Sequence, residues 1–181
     1  DIVRLHKKEV FIDCGAYIGD TVVQFLKASG NQYKKIVAFE PDPINIKSLK
    51  KTAKNIVIVK AAVWNCETKL SFDGANGAGS CVNQKNAVTR NVVKATAIDN
   101  ISACADASFI KMDIEGSEYY ALQGAYHTIC KNKPTLAICI YHSDEDMLRI
   151  IELIHSWQLG YKLYVRHHGQ RTAETVLYAV Q

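Results

Sequence analysis

The stretch VFIDCGAYIGDT, Val10 to Thr21, decides how this chain is read. A short apolar run, Val10–Cys14, ends at Gly15, and a second glycine follows at Gly19. Thr21–Ala28 then reads as a helix stopped near Gly30, with Asp20 placed to cap it. A strand–glycine–helix turn lets a ligand approach the backbone closely and aims helix N–H groups at it.

Outward from this turn, strands alternate with helices. Ile36–Glu40 is expected as the second strand and Ile56–Val63 as the third. Between them, Asp42 reads as an N-cap with Pro43 in the first turn. This βαβαβ rhythm implies parallel strands with right-handed crossovers. Lys69–Asp99 breaks it. That segment is rich in Gly, Asn, Ser and Thr and reads as a β-hairpin excursion, its runs being Lys69–Phe72 and Val92–Ile98. The Gly74–Ser80 loop, with Asn76 and Ser80, is expected to fold over the site as a lid. Strand Phe109–Met112, helix Ser117–Lys131, strand Thr135–Tyr141 and amphipathic helix Asp144–Trp157 follow. The last two strands, Tyr161–Arg166 and Thr175–Val180, are only about eight residues apart. A parallel crossover needs a dozen or more, so this pair is expected to be antiparallel.

The chain has 181 residues, 48% apolar and 22% charged, the profile of a single globular domain over 1–181. No apolar run approaches the ~20 residues that span a bilayer. No signal peptide is expected, and the start at Asp1, directly ahead of the first strand, leaves room for upstream residues. The net charge of +4 is spread over scattered lysines such as Lys7, Lys34, Lys50 and Lys54. Without interleaved aromatics these read as solvated surface and not as a nucleic-acid face. Six cysteines with no CxxC pair speak against a zinc or thioredoxin-type centre. Cys14 and Cys139 fall in apolar strand patterns, and a reducing, cytoplasmic compartment is the expectation.

The glycine turn also constrains its ligand's charge. A three-glycine G-x-G-x-x-G turn seats a pyrophosphate. Here Tyr17 holds the middle position and Asp13 and Asp20 flank the turn. Two carboxylates repel a pyrophosphate and favour a ligand with an ammonium and a sulfonium, the pattern of S-adenosylmethionine. Glu40, ending the second strand, is placed to accept ribose hydroxyls, a role that suits NAD equally.

Four motifs carry a resemblance to a known family: VFIDCGAYIGDT, VAFEPDP (Val37–Pro43), ATAIDNI (Ala95–Ile101) and FIKMDIEGSEYYALQGA (Phe109–Ala125). They resemble the FkbM-type methyltransferases, a branch of the class I S-adenosylmethionine-dependent enzymes. The strand–Asp–x–Glu–Gly run before an acidic helix start is the most specific of the four. The resemblance spans about Val10 to Val180. It implies a Rossmann-like α/β fold with a seven-stranded, mostly parallel sheet in the order 3-2-1-4-5-7-6. Strand seven is antiparallel, and helices cover both faces. It also implies that Asp13, Gly15, Ala16, Gly19 and Thr21 hold the methionine end of the cofactor, with Tyr17 among the contacts. Glu40 takes the ribose, Pro41 and Asp42 shape the adenine pocket, and Ala61 and Ala62 pack near the adenine. The implied reaction is methylation of a hydroxyl, often on a sugar or glycan. Two departures stand out. Tyr17 replaces a small polar residue such as Asn, and Tyr141-His142-Ser143 replaces an acid-His-Pro end to strand five.

In an open α/β sheet the ligand lies beyond the carboxyl ends of the strands. Asp113 and Glu115 follow strand four and His142 follows strand five. His142 is the first choice for general base, because its unperturbed pKa lies near working pH. Asp113 is expected to hold the acceptor, the cofactor amine or the base, and Glu115 to act beside it or to orient loop amides. The three could also bind Mg²⁺ or Mn²⁺, although the spacing does not demand a metal and none is expected. Lys111 is expected to point away from the site, and His167 and His168 to lie on the surface. The rival readings are a nicotinamide-dependent oxidoreductase and a cofactor-binding module without turnover. The first lacks the three-glycine turn and a Tyr-x-x-x-Lys dyad.

Overall fold

Apolar strands alternate with amphipathic helices through the first third of the chain. Val10–Cys14 (β1), Lys35–Phe39 (β2) and Ile56–Val59 (β3) enclose helices Asp20–Ala28 (α1) and Pro43–Leu49 (α2). The computed structural model describes residues 2–53, 55–72, 82–83, 92–169 and 174–181. Short strands Ala62–Val63 (β4), Thr68–Phe72 (β5), Val82–Asn83 (β6) and Val92–Thr96 (β7) follow. Then come Phe109–Met112 (β8), Glu118–Gln123 (α3), Tyr126–Asn132 (α4), Thr135–Cys139 (β9), Asp146–Ser156 (α5), Lys162–His167 (β10) and Thr175–Val180 (β11).

The main sheet has seven strands in the order β10-β11-β9-β8-β1-β2-β3. β1, β2, β3, β8 and β9 pair in parallel, and β11 is antiparallel to both β9 and β10. This is the expected order read from the other edge, with the last strand reversed. Alternation along each strand sends residues to two cores. Ile12, Cys14, Val37, Phe39, Ile110, Met112, Leu136 and Ile138 bury one face with Leu122, Ile129, Ile150 and Ile154 from the later helices. Phe11, Ile36 and Ala38 bury the other against Val22 and Phe25 of α1 and Leu49 of α2. No helix of the described residues is long and apolar enough to cross a membrane.

Three expectations need correction. The third strand does not run unbroken over Ile56–Val63. It ends at Val59, and Ala62–Val63 joins a second sheet of order β4-β7-β5-β6. The excursion is therefore more than a hairpin, although β5 and β7 do pair antiparallel. Its second run stops at Thr96, and Ile98–Asn100 turns as a 3-10 helix. The Gly74–Ser80 loop lies outside the described residues. Finally, the helix expected over Ser117–Lys131 is two helices with Gly124 between them.

Contacts with the second sheet account for that break. Trp64 stacks on Tyr120 of α3 with ring centroids 4.4 Å apart. Asp99 caps α4 from outside the helix, accepting from the backbone N–H groups of His127 and Thr128 at 3.0 and 2.8 Å. Gly124 lets these segments approach, because a Cβ there would stand 2.2 Å from the Trp64 carbonyl oxygen. Gly124→Ala is therefore expected to cost about 1–3 kcal/mol by overpacking. Urea unfolding checks this: the midpoint should fall at constant slope, and an unchanged midpoint contradicts the packing argument.

Candidate active site

The carboxyl end of β1 turns at Gly15, whose N–H, like that of Ala16, donates to the Phe39 carbonyl of β2 (3.2 and 3.0 Å). Gly15 has φ 79°. A Cβ on it would meet the Asp113 carbonyl oxygen at 2.1 Å, so the turn and the β8 loop touch backbone to backbone. Tyr17 has φ 46°, a left-handed conformation that costs an L-residue about 1–2 kcal/mol. Asn tolerates that conformation better, which gives a physical reason for a small polar residue at this position. Asp20 does not cap α1. Gly19 is the N-cap, at φ 94°, and Asp20 is the first helical residue. Asp42 does cap α2, accepting from Ile44 N–H at 2.6 Å.

Glu40 is buried at the end of β2. Its carboxylate accepts from Tyr17 N–H (2.9 Å), Asp42 N–H (2.8 Å) and, weakly, the Asn45 side chain (3.4 Å). Burial pushes its pKa up, against the opposing effect of the Asp42, Asn45 and Tyr17 donors. A carboxylate has about four acceptor positions. Three are used, so Glu40 can take one ribose hydroxyl readily, and a second only by releasing the long Asn45 contact.

Asp13 is fully buried, and neither carboxylate oxygen has a hydrogen-bond partner among the described residues. Its neighbour is Lys111, in register with it across the β1–β8 pair, with Nζ 3.3 Å from Oδ1. The contact is an ion pair without hydrogen-bond geometry. The Lys111 amine donates instead to the Gly15 carbonyl at 3.3 Å and lies 4.0 Å from Asp113 Oδ2. Burial pushes Asp13 up to about 6, even though Lys111 pulls the other way. Burial lowers the proton affinity of Lys111, but Asp13 and Asp113 outweigh it and the net shift is upward. The expectation that Lys111 points away is corrected. Strand alternation puts it on the same side as Asp113, two residues on, and that signal was present in the sequence.

Asp113, Glu115 and His142 come together as expected. His142 Nε2 lies 3.4 Å from both Asp113 Oδ1 and Glu115 Oε2, and Nδ1 lies 3.0 Å from Glu118 Oε1. Burial disfavours the imidazolium, yet Glu118, Glu115 and Asp113 outweigh it and raise the pKa. The ordinary histidine pKa behind the choice of His142 as general base is therefore corrected: the ring holds its proton more firmly than a free histidine. Burial raises the pKa of Glu115, with His142 opposing. Two residues that the sequence reading left without a role complete the group. Glu118 is fully buried and clamps the loop, accepting from Ile114 and Gly116 N–H groups at 2.8 and 2.9 Å. The Tyr141 hydroxyl donates to Asp113 Oδ1 at 3.1 Å.

One cleft joins these parts. Gly15, Tyr17, Thr21, Glu40, Pro41, Ala61, Ala62, Asp113 and Glu115 line it, along with Asp20, Asn45 and Lys111. It is an open cleft of about 780 Å³, mouth included. Among the described residues, Asp20, Glu40, Asp113 and Glu115 face it against Lys111 alone, so its charge favours a cationic ligand over a pyrophosphate. Asp13, Ala16, Gly19 and Asp42 are not in its wall. Asp13 is beneath Lys111, Ala16 is in the α1 core, Gly19 abuts Thr52, and Asp42 caps α2. These four stand behind the residues that line the cleft.

The sequence matches the methyltransferase FkbM domain family over residues 13–163. Among solved structures, the chain is similar to methyltransferase FkbM from Methylobacillus flagellatus KT, at 28% identity and TM-score 0.82. The match covers 99% of this chain and 45% of that one, so this chain spans less than half the length of that relative. An rRNA methylase from Streptococcus thermophilus shares the fold at 12% identity and TM-score 0.55, over 97% of this chain and 87% of that one. A Streptococcus mutans protein, solved with SAH and described as a methyltransferase, does so at 11% identity and TM-score 0.56, over 97% and 90%. No curated protein matches.

Asp13 gives the site a testable pH signature. Its folded pKa is about 6 against an ordinary 3.8. A raised carboxyl favours folding below the lower value, and that contribution is lost as pH rises through the upper one. Relative to Asp13→Asn, the wild type should lose about 2 kcal/mol of stability between pH 4 and pH 7. Urea unfolding at the two pH values checks this. A wild-type-to-mutant difference that stays constant contradicts the assignment.

Proposed function

The chain belongs to the FkbM methyltransferase family, and we propose that it transfers a methyl group from S-adenosylmethionine to a hydroxyl of a sugar, glycan or other hydroxylated small molecule. The observation that carries this reading is the cleft itself: a phosphate-averse, carboxylate-lined pocket between the Gly15 turn and Glu40, with a cluster of proton-binding side chains at its far side.

The donor set suits that cofactor. Gly15 allows close approach at the methionine end, Glu40 keeps acceptor capacity for the ribose, and Ala61 and Ala62 leave an apolar wall for the adenine. When bound, S-adenosylmethionine supplies a methyl group on positive sulfur as the electrophile. The chain's own residues do the rest. Binding on the rigid strand ends orients the reactants, which in ideal cases supplies ~7–11 kcal/mol of the barrier. The Asp113, Glu115 and His142 cluster holds the acceptor hydroxyl and receives its proton, an effect typically worth about 10²–10⁴-fold. Tyr141 and Lys111 fix the Asp113 carboxylate from two sides. The five described cysteines are free thiols, which supports a reducing, cytoplasmic setting.

Calorimetric titration tests the cofactor. The wild type should bind S-adenosylmethionine in the micromolar range, about −8 kcal/mol, and should not bind NAD. Glu40→Ala should lose S-adenosylmethionine binding while remaining folded. NAD binding by a chain that ignores S-adenosylmethionine would sink the proposal in favour of an oxidoreductase. With the cofactor established, transfer of labelled methyl to a panel of sugars tests the acceptor class.

A further inference from the structure

His142 is unusual among the polar residues of the chain. Its side chain is only 8% exposed; Nδ1 stands 3.0 Å from Glu118 Oε1, and Nε2 has no hydrogen-bond partner among the described residues. Its Nε2 is aimed at two carboxylate oxygens, Asp113 Oδ1 and Glu115 Oε2, both at 3.4 Å. That is long for a hydrogen bond, which prefers 2.7–3.2 Å. It is, however, the edge of a tetrahedron of ligands about 2.1 Å from a central cation, which is about 3.4 Å. One donor atom from each of the three residues falls within 4.8 Å of the others.

We propose that Asp113, Glu115 and His142 form a binding site for a divalent first-row cation of the Mn²⁺ or Zn²⁺ class. One imidazole and two carboxylates form a mixed donor set that suits these ions better than Ca²⁺, which prefers oxygen alone. The surroundings are those of a ligand set. The buried Glu118 carboxylate stands 3.0 Å from Nδ1, the arrangement in which a second carboxylate fixes the tautomer and leaves Nε2 free to ligate. Glu118 also holds Ile114 and Gly116 N–H groups, so it sets the path of the loop that presents Glu115. Tyr141 donates to Asp113 Oδ1, and Lys111 stands 4.0 Å from Oδ2. Asp113 and Glu115 both face the cleft, so the fourth coordination position is open on that side to one oxygen of an acceptor. The cation's role in holding the acceptor rests on the functional reading above; its binding does not.

The test is titration of Mn²⁺ alone into the full chain without cofactor, followed by electron paramagnetic resonance of the free ion. The wild type should take up one equivalent saturably. Glu115→Gln, His142→Gln and Glu118→Gln should each weaken binding at least about 10-fold. Asp106→Asn, a surface carboxylate paired with Lys34 and Lys35, should bind as the wild type does. Glu115 lies in a partly exposed loop, so its variant keeps the test decisive even where His142→Gln folds poorly. No saturable uptake up to millimolar Mn²⁺, or Glu115→Gln binding like the wild type, overturns the inference. Cation uptake by a chain that does not bind S-adenosylmethionine supports this inference and overturns the cofactor reading; cofactor binding without cation uptake does the reverse.

Discussion

The buried contact between Asp13 and Lys111 organises the rest of the molecule. It lies where β1 meets β8, the point in the sheet at which strand order reverses, β2 and β3 running one way and β9 the other. In open α/β sheets a crevice forms outside the carboxyl ends of the strands at this point. Removing one member of such a pair is costly, because it leaves the other charge buried and alone. The pair thus fixes the register of the two central strands, and both cleft-forming loops leave from it. Gly15 packs against the Asp113 carbonyl with no room for a side chain, so the two loops touch backbone to backbone.

Two tiers of carboxylates result. Asp13 sits below the cleft floor and is neutralised by Lys111, while Glu40, Asp113 and Glu115 face the cleft. A cationic ligand therefore meets a wall of acceptors that are already held in place by backbone N–H groups, Tyr141 and Lys111. Preorganisation of this kind is what positioning catalysis requires. The strained residues are at the same places. Tyr17 and Glu115 both have positive φ, and such strain persists only where the surroundings over-determine it.

Much of this was legible in the sequence. The bounds of β1, β8 and β11 and the reversed last strand followed from apolar runs and loop length, signals local to each segment. Glu40, Asp113 and Glu115 were found because they stand at strand ends, where ligands bind. What escaped was non-local. The end of β3 at Val59 depends on a second sheet drawing Ala62–Val63 away. The break at Gly124 depends on the Trp64 backbone passing close by. The tautomer-setting place of Glu118 and the rise in the His142 pKa depend on three carboxylates of the 113–118 segment meeting a ring that follows the next strand. No single window of sequence contains those pairings. Lys111 is the exception, since period-2 alternation alone puts it beside Asp113.

The most direct test of the central claim is a crystal structure of the chain with S-adenosylhomocysteine bound. The account predicts the ribose at Glu40, the adenine against Ala61 and Ala62, and the amino-acid end at the Gly15 turn. The sulfur should face the Asp113, Glu115 and His142 cluster. A ligand bound with its ribose away from Glu40, or outside this cleft, would contradict it.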